Sequence, residues 1–378
     1  MGKKGLLRAL GALASLLLSL FLFPAPGDAA GRVGVLLGQA GGEVLLRLEA
    51  AWLQAARGRV VEFLARPSHG SRRAARRWAR ALLADPEVAL LIVADHPAVA
   101  RTALEVARPS GASILSCAPG EAEELETEHP YLLQIAPGPA AAAERILRYI
   151  ARRGMERLAL VAPLDPYGTK GGELLSALAP AHGVSVLLDA RHPDKRRSLS
   201  ELFRVARDRG AQVLVYWGRD GPGQAVLGTY KDLGLPLPLI LGPAFSRPRW
   251  LEEARSAPEG ALVPVATFWV SHLLPAGHPQ RRAIEAFRAR FERSLGRPPT
   301  LGEGCLSDAL SLAAAALARG RGGGRRGGRE AVRRALLGVE GFQGVMSRFR
   351  FSEWGRRGAG AEAFQMVRVR AGKVELAP

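Results

Sequence analysis

The feature that most constrains this chain is an alternation, sustained from Arg32 to Ala266, of short apolar runs with longer amphipathic stretches. Such a pattern belongs to βα units laid on a mostly parallel sheet. In the first part Val33–Leu37, Val60–Leu64, Val88–Val93 and Ser113–Ser116 read as strands, with helical periodicity over Ser71–Leu83. After Gln134–Pro139 the alternation restarts. It runs through helix Ala140–Arg152, strand Leu158–Ala162, helix Gly171–Ala179, strand Val184–Leu188, helix Leu199–Asp208 and strand Val213–Trp217, then Leu239–Gly242 and Ala261–Ala266. Two successive α/β sheets fit this better than one, and a chain of 378 residues exceeds the size at which a single core stops growing. A third portion is helical, over Gln280–Ser294 and Leu306–Arg319, and Phe349–Leu376 returns to strand-like alternation.

The start of the chain bears on compartment. Lys3, Lys4 and Arg8 precede an uncharged, leucine-rich stretch from Ala9 to Phe23, which is short for a membrane span. Ala25, Gly27, Ala29 and Ala30 follow, with Pro24 and Pro26 closing the apolar run. The pattern predicts a signal peptide over 1–30, cleaved after Ala29 or Ala30. No cysteine before Cys117 is available for a lipid anchor, so a soluble periplasmic product is expected. Cys117 and Cys305 are expected to be separate buried thiols, although an exported chain permits a disulfide.

Lys plus Arg number 53 against 35 Asp plus Glu. The excess is arginine spread along the whole chain, which reads as solvated surface and not as a nucleic-acid stripe. Arg72, Arg73, Arg76, Arg77 and Arg80 share one side of a helix. An outer face opposite Ala75, Trp78, Ala79 and Leu82 accounts for them; acidic lipid or an acidic partner is the functional alternative. Gly322, Gly324 and Gly327 satisfy a GxGxxG pattern but follow no strand, so they form a loop and not a dinucleotide cradle. Seven scattered histidines offer no helical metal pair, and no GxSxG elbow is present. No cofactor, metal or enzymatic activity is expected.

Ligands of doubly wound sheets sit at the carboxyl ends of strands. That rule selects Gly38-Gln39, Ala94-Asp95-His96-Pro97, Ser116-Cys117-Ala118, Asp165-Pro166-Tyr167-Gly168, Gly218-Arg219-Asp220 and Pro243-Ala244-Phe245.

The order and spacing of Leu158–Gly168, Val213–Gly218, Ser307-Asp308-Ala309 and Gly341–Phe351 resemble the leucine/isoleucine/valine-binding family of type I periplasmic binding proteins, which serve ABC importers. The resemblance implies two doubly wound parallel-sheet lobes joined by a three-segment hinge. Lobe one would be 31–137 plus 268–340 and lobe two 138–267 plus 341–378. It also implies a monomer that takes a small molecule between its lobes and presents it to an inner-membrane permease, with no nucleic acid involved. Carried over by position, the family's ligand contacts fall on His96 or Pro97, on Ser116, Cys117 and Ala118, and on Ala244 where amino-acid binders hold an acid. The threonine of the family's serine-containing loop becomes Gly120, and Ser307 opens the helix where a tyrosine is usual. Tyr167 alone is plainly kept. Trp217 and Asp220 complete the candidate set, with Arg219 and Asp220 offering a different polar pattern and Tyr216, Trp217 and Phe245 either lining an apolar pocket or filling core. The ligand class is left among amino acids, amides and small organic acids. A ligand-sensing regulatory domain of the same fold, or a relative with a degenerate site, is the competing function.

Overall fold

A computed structural model describes residues 31–38, 46–47, 49, 61–118, 129–193, 196–246, 258–320, 327–353 and 355–377; for 196–198, 220–224 and 327 only the backbone is described. The expected signal peptide over 1–30, Gln39, Pro119, Gly120, Gly322 and Gly324 lie outside these residues, as does the side chain of Asp220.

The first sheet contains β1 (Arg32–Leu37), β2 (Glu62–Pro67), β3 (Val88–Ala94), β4 (Ser113–Ser116) and β5 (Leu132–Gln134) in the order β2-β1-β3-β4-β5, parallel throughout. β3 is buried at all but its last residue, because helices cover both faces of a parallel sheet and leave no polar side. Among the described residues α1 (Arg72–Leu83) and α2 (Pro97–Ala107) connect strands of this sheet. Ser71 caps α1 by accepting from the Ala74 amide, and Ala75, Ala79, Leu82 and Leu83 face inward. α2 had no counterpart in the sequence pattern. It is buried at Val99, Ala100, Ala103, Leu104 and Ala107 and opens on Pro97, so little polar contrast marks it.

α3 (Pro139–Arg152) leads into the second set of elements: β6 (Arg157–Pro163), α4 (Pro166–Leu178), β7 (Ser185–His192), α5 (Arg196–Asp208), β8 (Val213–Tyr216), α6 (Asp220–Leu233), β9 (Leu239–Leu241) and β10 (Leu262–Ala266). A short α7 (Thr267–Val270) precedes α8 (Pro279–Leu295), α9 (Leu301–Arg319) and α10 (Gly327–Leu337), and β11 (Glu340–Gln343) pairs with β12 (Arg348–Arg350) as a hairpin. β13 (Phe364–Arg370) and β14 (Lys373–Leu376) then complete the second sheet, in the order β14-β13-β10-β9-β8-β6-β7. Its strands from β7 to β10 are parallel, β13 is antiparallel to β10, and β14 is antiparallel to β13.

The helical third portion returns to the first sheet, where α9 packs on β3, and α10 on β3 and β4. α9 starts at Leu301, before the expected Leu306, because Thr300 and Glu303 form a reciprocal capping box. Ser307-Asp308-Ala309 therefore lies inside this helix and does not open it. The β11–β12 hairpin also stays on this side, touching α8 and hydrogen-bonded to Asp308 of α9. The expected third boundary after residue 340 thus precedes a hairpin that still packs with the first set of helices.

Three passages between the sheets lie side by side. The Gln134 amide donates to Arg356 O at 2.9 Å, and the Gly358 amide to Gln134 O at 3.0 Å, so the third passage pairs with the end of β5. Thr267 Oγ1 donates to Glu362 O at 3.0 Å and accepts from Gln365 Nε2 at 3.2 Å, which ties the second passage to the third.

Candidate ligand site at the strand ends

Strand order locates the crevices. In the first sheet β1 lies between β2 and β3, and in the second β6 lies between β7 and β8, so successive crossovers leave each central strand in opposite directions. Loops part at such a switch point and open a crevice at the strands' carboxyl ends. Residues after β1 and β3, and after β6 and β8, are therefore the ones placed to meet a ligand.

In the first sheet the organising group is Asp95, which the strand-end rule selects but the contacts carried over from the family do not include. Its Oδ2 accepts from Ser68 Oγ at 2.5 Å and from the Gly70 amide at 3.0 Å, while Oδ1 accepts from the His96 amide at 2.6 Å. One carboxylate thereby binds the loops after β2 and β3 together. His69, in the first of these loops, has a φ of 47°, a left-handed conformation unusual for a residue with a side chain. Its Nδ1 lies 3.3 Å from Gly38 O. His96 is exposed and caps α2, its Nδ1 accepting from the Ala98 amide at 3.3 Å. Ser116 is buried, and its Oγ accepts from the Ala118 amide at 3.3 Å; Cys117 and Ala118 are buried beside it. The Ser116-Cys117-Ala118 side chains therefore serve the lobe interior in this conformation, and His96 is the exposed member of the group.

In the second sheet α4 begins at Pro166, five residues before the expected Gly171, because Asp165 accepts from the Gly168 amide at 2.6 Å and caps it. Tyr167 consequently sits in the first turn of a helix, half-buried, with the Arg219 guanidinium 4.3 Å from its ring centroid. Arg219 is itself the cap position of α6, and Asp220 is that helix's first residue. The two ends of this switch point are thus joined by one cation–π contact. Arg219 was only a secondary candidate in the sequence, because nothing local pairs it with a tyrosine 52 positions earlier.

Trp217 is placed differently from the expectation that it lines a pocket. It is fully buried, and a Cβ built on Gly171 would fall 1.8 Å from its Nε1, so the indole lies directly on bare helix backbone. Tyr216 and Phe245 are also fully buried, ring centroids 6.2 Å apart, in the core of the second sheet. These three aromatics are core. Ala244 lies half-exposed in the turn after β9.

Ser307 is recruited elsewhere. Its Oγ donates to Glu49 Oε2 at 2.9 Å, and Glu49 is held at Oε1 by Arg290 at 2.8 Å, a buried cluster joining segments with no local sequence signal. Nearby, Asp308 accepts the Val345 and Met346 amides, each at 2.7 Å. Burial pushes its carboxyl up to about 7, against the lowering effect of those two amides. Cys117 and Cys305 are unbridged and buried, and burial raises both thiols. Among the described residues no group of three or more His, Cys, Asp or Glu is arranged to hold a metal ion.

Two mostly parallel α/β sheets, each with its switch point and joined by three adjacent passages, define the bilobal class of solute-binding proteins. The chain belongs to the periplasmic binding protein family, whose model matches residues 39–373. The structure of a Rhodospirillum rubrum protein assigned to a branched-chain amino acid ABC transporter is similar, at 21% identity and a TM-score of 0.77, over 92% of this chain and 99% of that one. So is an ABC transporter substrate-binding protein from Desulfitobacterium hafniense in complex with Leu, at 19% identity and a TM-score of 0.67 over 92% and 99%. A type 1 periplasmic binding protein from Bordetella pertussis Tohama I matches at 16% identity and a TM-score of 0.61 over 93% and 100%. At these identities the likeness is one of fold. A glycerol-3-phosphate dehydrogenase [NAD(P)+] from Thiobacillus denitrificans is 29% identical over 210 residues, 49% of this chain and 62% of that enzyme. The family and the fold are those of solute-binding proteins, not of enzymes.

Proposed function

We propose that this protein is the periplasmic solute-binding component of an ABC importer of the branched-chain-amino-acid type, closing its two lobes over a small amino acid, amide or organic acid. The lobes are those expected from the sequence except at the third boundary, where the hairpin at 340–350 goes with the first: 31–137 with 268–350, and 138–267 with 351–378. Tyr167 contributes from the second lobe's switch point, and His96 with the Ser116-Cys117-Ala118 loop from the first. The observation that carries the reading is Arg219 held over Tyr167 at the carboxyl end of the second sheet. A guanidinium supported by a ring is a preorganised receptor for a carboxylate, the group that amino acids and organic acids share. Closure follows from linkage: a micromolar ligand contributes about 8 kcal/mol at standard state, and contacts formed only when both lobes engage favour the closed form.

Thermal-shift screening against amino acids, amides and small carboxylates tests this, since a ligand that binds only the folded chain raises its melting temperature. Stabilisation by a carboxylate, lost in Arg219→Ala, is the expected result. Stabilisation by no member of the panel sinks the reading.

A further inference from the structure

The face of α1 opposite the core has no place in solute capture. It carries Arg72, Arg73, Arg76, Arg77 and Arg80 with no acidic residue in the helix, and these five side chains line a surface depression of about 470 Å³. The inward set Ala75, Ala79, Leu82 and Leu83 fixes the helix so that the arginines point outward. Pairs such as Arg72/Arg76, Arg73/Arg77 and Arg76/Arg80 stand four residues apart, where like charges destabilise a helix. Among the described residues one external carboxylate reaches the face, Glu105, which meets Arg76 at 2.8 Å between exposed side chains. Trp78, half-buried at the rim, lies 4.1 Å from the Arg77 guanidinium and 5.5 Å from that of Arg66 on the edge strand β2.

We infer that this face docks on an anionic phospholipid bilayer. The arginines supply planar, bidentate partners for phosphate oxygens, and an indole flanked by cations suits the boundary between headgroups and acyl chains. The family membership that places the protein beside a membrane supports this occupant over an acidic protein, and the inference does not depend on what the cleft binds. Held at the surface, a binding protein searches for its permease along a plane and not through a volume.

The test uses full-length chains and compares partition onto vesicles of phosphatidylcholine alone with partition onto vesicles that also contain phosphatidylglycerol. The N-terminal apolar run is common to all variants, so differences between them report on the arginines. A five-fold variant, Arg72, Arg73, Arg76, Arg77 and Arg80 each to Gln, is set against a control with Arg152, Arg153, Arg204, Arg282 and Arg334 to Gln. All five control positions are exposed. The wild type is expected to prefer the anionic vesicles and to lose that preference at high salt. The α1 variant loses about 100-fold in anionic partition and the charge-matched control under about tenfold. Should the α1 variant fold poorly, Arg73→Glu with Arg80→Glu leaves the Arg76–Glu105 and Arg77–Trp78 contacts in place and is expected to lose partition likewise. Equal losses in variant and control overturn the inference, because net charge then suffices. So does absence of anionic preference in the wild type, and so does α1-dependent retention on polyglutamate without binding to vesicles, which identifies an acidic protein as the occupant.

Discussion

Arg219 and Tyr167 come from opposite sides of the second sheet's switch point, and the guanidinium of the first stands 4.3 Å from the ring centroid of the second. Under the proposed function the tyrosine positions the cation, and the cation meets the ligand carboxylate. Arg219→Lys keeps the charge but not the planar fork, so it is expected to weaken a carboxylate ligand by about tenfold, and Arg219→Ala by roughly one to two decades. Tyr167→Phe keeps a ring under the guanidinium and is expected to lose less than Tyr167→Ala. Calorimetry with the carboxylate found by thermal shift checks the order. Indifference of affinity to both Arg219 variants removes the residue from the site.

Gly171 is required by Trp217. An alanine in a helix interior is normally favoured over glycine by about 1 kcal/mol. Here its methyl would overlap the indole of a fully buried tryptophan, and forcing an extra group into a packed core opposes that gain by about 1 to 3 kcal/mol. The ring is rigid and the overlap deep, so overpacking wins. Gly171→Ala is expected to lower unfolding free energy in urea by up to ~2 kcal/mol net, and a stabilising result would show that the indole has room to move.

Asp308 makes stability depend on pH in a defined direction. Its carboxyl, ordinarily near 3.8, is pushed up to about 7 by burial, so between those values the folded chain retains a proton that the unfolded chain has released. The group's contribution is therefore complete below about pH 4 and is lost as pH rises through about 7. Asp308→Asn cannot titrate and removes one of two acceptors from the Val345 and Met346 amides, which costs about 1 to 3 kcal/mol. The stability advantage of the wild type over Asp308→Asn should shrink from pH 5 to pH 7 by up to ~1 kcal/mol per unit. A difference that stays flat across that range assigns the titration to other groups.

Local pattern carried much of this architecture. Strand β4 coincides with its expected residues, and β1, β3, β6 and β8 depart from theirs by a residue at most at either end, because buried parallel strands are continuous apolar runs. α2 was missed because a helix buried on several sides loses its amphipathic stripe, and α6 because Gly221, Pro222 and Gly223 follow its first residue and imitate a turn. At the site, Tyr167 was legible from the strand-end rule, whereas its contact with Arg219 depends on pairing β6 with β8. Trp217 reads from sequence as pocket or core, and it is core. Its burial is decided by Gly171, 46 positions away, and a single sequence holds no record of that approach. The Glu49–Arg290–Ser307 cluster is non-local in the same way.

The expected ligand class follows from what the proposed site offers in the second lobe. By the family resemblance, the position where amino-acid binders place an acid for the ligand ammonium falls on Ala244, in a half-exposed turn after β9, and that of the hydroxyl-bearing threonine falls on Gly120. What the switch point supplies instead is the cation of Arg219 over Tyr167. A zwitterion needs partners for both ends, and losing one charge-assisted bond removes about 1.5 to 3 kcal/mol, with the desolvation of an unpaired ammonium added. Leucine, isoleucine and valine are therefore expected to bind more weakly than about 100 μM, while a ligand with a carboxylate and no ammonium keeps the favourable contact and avoids the penalty. Asp220, at the first position of α6, is the residue whose carboxylate would restore an ammonium partner. Calorimetry with leucine decides between the two arrangements. A micromolar constant abolished by Asp220→Ala identifies an amino-acid binder with a relocated acid, and weak binding that Asp220→Ala leaves unchanged identifies a carboxylate receptor built on Arg219.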